Sequence, residues 1–226
     1  MTVAPETEPE TAPTPDRALA VLGLLATSEM AAFSRLAGDA DVAPLVADRA
    51  ELCRLGGVAA ERLGRLSARI AELGGSLPDA VAPFLGAYSD LDARMPARSW
   101  WERLVKAYVG FGVEDDVARL LAEGLDPTTR ALVLDVLDDH GHAAFVVERV
   151  TAATAADPVL ASRLALWARR LVGEALGIVQ QILADHPDLR ALVDAALPGD
   201  APLQQRLFAV LTAEHTRRMG RLGLTA

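Results

Sequence analysis

Residues 131–150 read ALVLDVLDDHGHAAFVVERV, and the fold turns on how this stretch is read. Taken as one helix, steps of four and three place Leu132, Val136, Asp139, Ala143, Val146 and Val150 on one side. All are apolar or small except Asp139, a carboxylate in the middle of the row. His142 follows Asp139 by three residues, so the two side chains can reach toward one point. An acid-x-x-His pair on an inward helix face is the half-site of a two-metal helical bundle. The competing reading is a solvated helix end at Asp138, Asp139, His140 and Gly141, with Gly141 loosening the helix. The other helices have to decide between the two.

Composition narrows the field. The chain has 226 residues, 51% hydrophobic but only 4% aromatic, so its core must be built from Leu, Val and Ala. That favours helices over a sandwich or barrel, which uses more β-branched and aromatic residues. A single helical domain of this size buries about 70% of its unfolded surface. The net charge of −9 is a poor start for tight binding to phosphate backbones. One cysteine, Cys53, excludes an intrachain disulfide and a cysteine zinc site, and its place beside Leu52 reads as a small core residue. No apolar run reaches the ~18 residues of a membrane span, and no basic leader precedes an apolar segment, so the expectation is a cytoplasmic protein with no membrane contact.

Residues 1–15 carry four prolines and three glutamates and read as a disordered acidic, proline-rich tail, leaving 16–226 as the folded domain. Asp16 caps a first helix that Gly38 stops near Ala37. Its inward row is Leu22, Leu25, Glu29, Ala32 and Leu36, again with one acid in an apolar stripe. An unpaired buried carboxylate costs several kcal/mol, so Glu29 needs a cation, a metal or a proton. The second helix, from about Pro44 to Leu73, has the row Leu52, Leu55, Ala59, Leu63, Leu66, Ile70 with no acid on it. Glu61 faces the other way and pairs with Arg65. Residues 74–98, broken by three prolines around a short apolar helix, are long enough to cross the length of a bundle.

Ser99-x-x-Glu102 is a capping box that opens a third helix with the row Leu104, Tyr108, Phe111, Asp115, Ala118. Gly110 and Gly112 within it read as sites of close helix packing. Asp126-Pro127 opens the helix that carries Asp139 and His142, and Asp157-Pro158 opens a fifth, apolar on most sides. That fifth helix carries an inward acid, Glu174, as a weaker metal candidate or the partner of an arginine such as Arg170. The last helix, from Pro202, ends in the basic patch Arg217, Arg218 and Arg221.

A two-metal bundle takes a Glu from each of two helices and a Glu-x-x-His from each of two others. Here Glu29 and the Asp139–His142 pair answer, with Asp115 in reserve. The second helix has no histidine, since the four histidines all lie at residue 140 or later. No nucleophile elbow, zinc-protease motif or phosphate-binding glycine loop offers another chemistry.

The stretches LGLLATSEMAAFSRLAGDA, LVKAYVGFG, TRALVLDVLDDHGHAAFVVERV, RLALWARRLVGEAL and EHTRRMGRLGL resemble the actinobacterial ferritin-like proteins grouped with the tRNA-(2-methylthio-isopentenyladenosine) hydroxylases, the MiaE-like proteins. The resemblance runs from about Ala18 to Leu224. It implies a ferritin-like four-helix bundle with additional C-terminal helices, a non-haem di-iron site and oxygen-dependent hydroxylation, with tRNA as the family's partner. Glu29, Asp139 and His142 match three of the family's ligands. Ala59 and Arg62 stand where its second-helix acid and histidine stand, and Phe111 replaces a third-helix carboxylate. The expectation is therefore a degenerate member with an incomplete metal site, acting as a binding or structural protein, with a homodimer as its possible assembly. The alternative is an active di-iron or single-metal hydroxylase built from Glu29, Asp115, Asp139, His142 and Glu174.

Overall fold

A computed structural model describes residues 15–226, and the side chains of all of these but 87–90. The expected tail lies, but for Pro15, outside the described residues. The fold is all-α, with no strand among the described residues. α1 (Pro15–Asp41) and α2 (Val46–Glu72) form the first hairpin. The crossover holds α3 (Leu77–Val81), a 3₁₀ turn and α4 (Leu85–Arg94). α5 (Trp100–Ala122) follows, then α6 (Pro127–Val136), α7 (His142–Ala156), α8 (Pro158–Asp185), α9 (Pro187–Ala196) and α10 (Leu203–Arg221). α5 is the central element, packed against α1, α6, α7, α8, α9 and α10.

The helix starts follow the caps that the sequence carries. Ser99 accepts from the amide of Glu102 (3.2 Å), and Glu102 reaches back to the amide of Arg98 (2.6 Å), one residue outside the expected box. Asp126 accepts from Thr128 and Thr129, and Asp157 from Val159 and Leu160, each with proline next in the chain. α2 ends in a Schellman turn, with Gly74 at φ +82° and the Gly75 amide donating to the Ile70 carbonyl.

Several expectations are corrected. α1 does not stop at Gly38 but continues to Asp41, where the Arg49 guanidinium takes the terminal carbonyls of Ala40 (2.9 Å) and Asp41 (2.6 Å). Cys53 is exposed, because Leu52 and Leu55 face the core and the intervening positions of a helix turn outward. Arg65 pairs with Asp135 (2.5 Å) rather than Glu61. α8 buries one face only; Val159 and Leu166 are exposed. The 131–150 stretch is not one helix: it breaks between Val136 and His142, at Gly141 with φ +104°. α1 is apolar enough to cross a membrane, with mean hydropathy 1.4 over its most apolar window, and half of that window is buried in the fold against its neighbours.

The core is divided. One apolar cluster takes Leu22 and Leu25 of α1, Leu66 and Ile70 of α2, and Val113 and Val117 of α5. A second takes Leu36 and Ala40, Leu52 and Leu55, and Leu104, Val105, Tyr108 and Val109 of the same three helices, with α7 and the N-terminal half of α8. Between them each helix contributes a polar stretch: Ser28 and Glu29, then Arg62, then Glu114 to Asp116. The bundle thus has an ionisable layer at mid-height, where the apolar rows are interrupted.

Candidate functional site

That layer opens into a cavity of about 430 Å³, walled by α1, α2, α5, α10 and the α6–α7 turn. Glu29 reaches it because it shares the inward face of Leu22, Leu25, Ala32 and Leu36, as its spacing predicts; it is 8% exposed. Burial raises its pKa from 4.5 to about 7, against the pull of the Arg62 charge and with the push of Asp115. Arg62 comes from α2, its Nη1 at 3.6 Å from Glu29 Oε1. The other arm of its fork donates to the Asp138 carbonyl and meets His140 Nδ1 at 3.1 Å. Ala59, one turn away, is buried and also lines the cavity.

α5 supplies three successive acids in different surroundings. Glu114 accepts from the Ser28 hydroxyl, and burial holds it at a pKa of about 8. Asp115 is pushed up to about 7 by burial, with Arg119 and Arg62 opposing. Asp116 is raised by burial to about 6, with the Arg218 guanidinium that bonds it pulling the other way. Arg218 crosses from α10 over the face of Gly112 and also donates to the Gly112 carbonyl (3.0 Å). A Cβ at Gly112 would lie 2.5 Å from Arg218 Nε, so this glycine is what admits the arginine. Gly110 faces open space and has no such role.

His142 begins α7 and stacks on Phe111, ring centroids 5.2 Å apart and tilted by 56°. Burial lowers its pKa to about 4, which Asp139 opposes, so the ring is neutral. Asp139 departs from expectation. It lies on the exposed turn before α7 and accepts from the Ala143 amide at 3.2 and 3.3 Å, satisfying an orphan donor of that helix start. Asp139 and His142 therefore do not share one helix face, since they stand on different elements, although both line the cavity. Glu174 is placed elsewhere too: it does not line this cavity, and it pairs with Arg94 at 3.5 Å rather than with Arg170.

Glu29, Arg62, Phe111, Asp115, Asp139 and His142 all line the cavity, with Ala59 on its wall. Of the three arginines of the C-terminal basic patch only Arg218 is taken into the fold, while Arg217 and Arg221 stay exposed. Arg218 is 7% exposed and held by Asp116, and Arg217 pairs with Glu214. The sequence had singled out neither Ser28 nor Arg218 as part of the site. The one signal for Arg218 was Gly112, which marks a close approach without naming what approaches.

The buried ionisable layer in the middle of a helical bundle, with a crossover between α2 and α5, is the architecture of ferritin-like folds. One family model, described as the ferritin-like domain of actinomycetes, matches residues 16–196. The chain belongs to that family. No curated protein matches it. In this ferritin-like domain the matched span ends with α9, so α10, the source of Arg218, lies beyond it.

The residues do not fit a two-metal centre. Such a centre needs acid and histidine ligands converging from four helices. Among the described residues no three His, Cys, Asp or Glu side chains come together in that way. Arg62 stands 3.6 Å from one oxygen of Glu29, Ser28 binds Glu114 and Arg218 binds Asp116. Among the residues around the cavity several polar atoms are buried without hydrogen-bond partners: Glu29 Oε2, Arg62 Nε, Tyr108 Oη, His142 Nε2 and Arg218 Nε.

Proposed function

We propose that this chain is a degenerate member of the hydroxylase-like branch of ferritin-like proteins, a cytoplasmic binding protein whose metal position has become an arginine–carboxylate site. The observation that carries this reading is Arg62. Its guanidinium stands 3.6 Å from Glu29 on one side and bonds the α6–α7 turn on the other, which is where metal ligation would have to happen. A fixed guanidinium supplies positive charge without redox chemistry and repels a second cation. The neutral His142 ring leans on Phe111, the residue that stands in place of a carboxylate.

The test is metal content. Protein purified from iron- and manganese-supplemented cells should carry well under one iron per chain and lack the near-ultraviolet absorption of an oxo-bridged ferric pair. Two irons per chain that cycle with dioxygen would overturn the reading. They would favour the alternative, an active oxygenase acting on a modified tRNA base or a small molecule. One observation speaks for that alternative: Glu29 Oε2 and His142 Nε2 are both buried, both free of hydrogen bonds and both on the cavity wall.

A further inference from the structure

The outer face of the α1–α2 hairpin is apolar and uncovered. On α1 Met30 and Phe33 are 37% and 47% exposed, and at the hairpin tip Leu45 and Val46 are exposed as well. Along α2 the face continues through Val46, Ala50, Cys53, Gly57, Ala60 and Gly64, all exposed and none charged. Their alternating steps of four and three are the spacing of a seam between two helices packed side by side. A Cβ on Gly56 would lie 3.9 Å from the Phe33 ring, which sets that ring beside Cys53 and Ala60, one turn to either side. Gly57 and Gly64 weaken the helix relative to alanine, and nothing within the chain lies within 4 Å of a Cβ at either. No contact inside the chain needs a glycine there; a second backbone approaching closely does.

We propose that this face is the interface of a twofold dimer, with α2 packed antiparallel on α2 of a second copy and Met30 and Phe33 covering one edge. Charge selects both the occupant and its direction. With a net charge of −9 two copies repel elsewhere, so they approach most cheaply along an uncharged seam. Glu61 borders the seam, is exposed, and has no ion pair among the described residues, since Arg65 is taken by Asp135. Arg54, two turns earlier on the same edge, holds Glu51 and keeps its side chain 47% exposed. In an antiparallel pair that sets Gly57 against Ala60 of the second copy, Arg54 of each copy falls opposite Glu61 of the other. A parallel pair would instead set Arg54 against Arg49, two like charges. The 27 residues of α2 span about 40 Å, and with the α1 edge about 20 Å of width is covered. That is about 800 Å² per copy, the size of a standard stable interface. The proposal goes beyond the binding-protein reading and holds whether or not a metal is bound.

The test is sedimentation equilibrium of the full chain up to about 100 µM, which should show a dimer with a micromolar or tighter Kd. Gly57→Glu should be monomeric over the same range with unchanged helical content by circular dichroism, because glutamate is the better helix former and nothing in the chain crowds the position. Glu61→Arg, which opposes two arginines, should weaken the dimer about tenfold or more, and adding Arg54→Glu to the same chain should restore it. Diamide, which oxidises two facing thiols to a disulfide and is itself reduced, reads the register. Cys53 faces Gly64 of the second copy, so Gly64→Cys should cross-link the copies. The native chain should not cross-link, because its two Cys53 thiols lie about 16 Å apart along the seam. A chain that stays monomeric overturns the proposal and leaves the face to a different protein. A dimer that survives Gly57→Glu overturns the choice of face, and cross-linking of the native chain through Cys53 overturns the antiparallel arrangement.

Discussion

Arg62→Ala probes the centre of the argument, because the structure makes its cost depend on pH. Arg62 does two things. It faces the ionised form of Glu29 at 3.6 Å, and it holds the α6–α7 turn through the Asp138 carbonyl and His140. The second role does not titrate with Glu29. Hydrogen bonds from a charged donor are worth about 1.5–3 kcal/mol. With a fifth of the side chain exposed, the lower end applies, about 2 kcal/mol at any pH where the turn is intact.

The first role depends on how much of Glu29 is ionised. Its folded pKa is about 7, raised from 4.5, so at pH 7 half the population is already protonated. Losing the partner of the ionised half then costs at most RT ln 2, about 0.4 kcal/mol. At pH 8.5 nearly all of it is ionised in the parent, and the variant must protonate it or strand it, for as much as about 2 kcal/mol. The total should run from about 2 kcal/mol at pH 5.5 to about 4 kcal/mol at pH 8.5. Urea unfolding of parent and variant at pH 5.5, 7 and 8.5 reads this directly. A destabilisation that is flat with pH, or larger in acid, would refute the pairing of Arg62 with Glu29, and one below about 0.5 kcal/mol throughout would make Arg62 an ordinary surface residue.

Three further outcomes follow from the same layer. Glu29, Glu114, Asp115 and Asp116 have folded pKa values above their unfolded ones, so their contribution is full below about pH 4 and lost as pH rises toward 8. His142 and His215 are lowered to about 4 and act oppositely, losing stability as pH falls through 6.5, but two histidines do not offset four carboxylates. Thermal unfolding should therefore be higher at pH 5 than at pH 8, and the reverse order would contradict the burial of these acids. Gly112→Ala should destabilise by about 1–3 kcal/mol by pushing Arg218 off Asp116. Gly110→Ala, with nothing near its Cβ, should be neutral or stabilising by up to about 1 kcal/mol, and equal effects at the two glycines in urea unfolding would remove the role given to Gly112. With net charge −9 and Arg217 and Arg218 paired internally, tRNA binding should be no tighter than micromolar at physiological salt, and a nanomolar, salt-resistant complex by filter binding would contradict this.

Helix starts and inward rows were legible because they depend on local chemistry. Asp126-Pro127, Asp157-Pro158 and Ser99-x-x-Glu102 cap the helices they predict, and the row through Glu29 is buried as its spacing requires. The crossover followed from the length of residues 74–98, and the ferritin-like class from the family resemblance of the helical stretches. The fate of residues 131–150 was not legible, because two local signals conflicted there. Leu132 to Val150 keeps helical period across the turn, while Asp138-Asp139-His140-Gly141 favours a break; a periodic row survives a break if the two halves pack on the same neighbours. Val136 and Val146 are both fully buried on either side of it. Periodicity therefore reported the shared core and not a continuous backbone.

What tips that balance lies far away in sequence. Between Val136 and His142 the chain exposes carbonyls that a continuous helix would have satisfied internally. The structure gives them to arginines: Arg119 bonds the Leu137 carbonyl (3.1 Å), Arg62 that of Asp138, and Arg54 that of His140 (2.8 Å). Two of these arginines come from α2 and one from α5, the helices that face the turn. Arg62 thus links two departures from a metal-binding bundle that the sequence shows as separate. On the proposed reading it stands where a histidine ligand would, and it bonds the turn that carries Asp139. Restoring a histidine at position 62 would then not restore the half-site. Asp139 would remain on an exposed turn, held by the Ala143 amide and by the Arg54 and Arg119 contacts on either side of it.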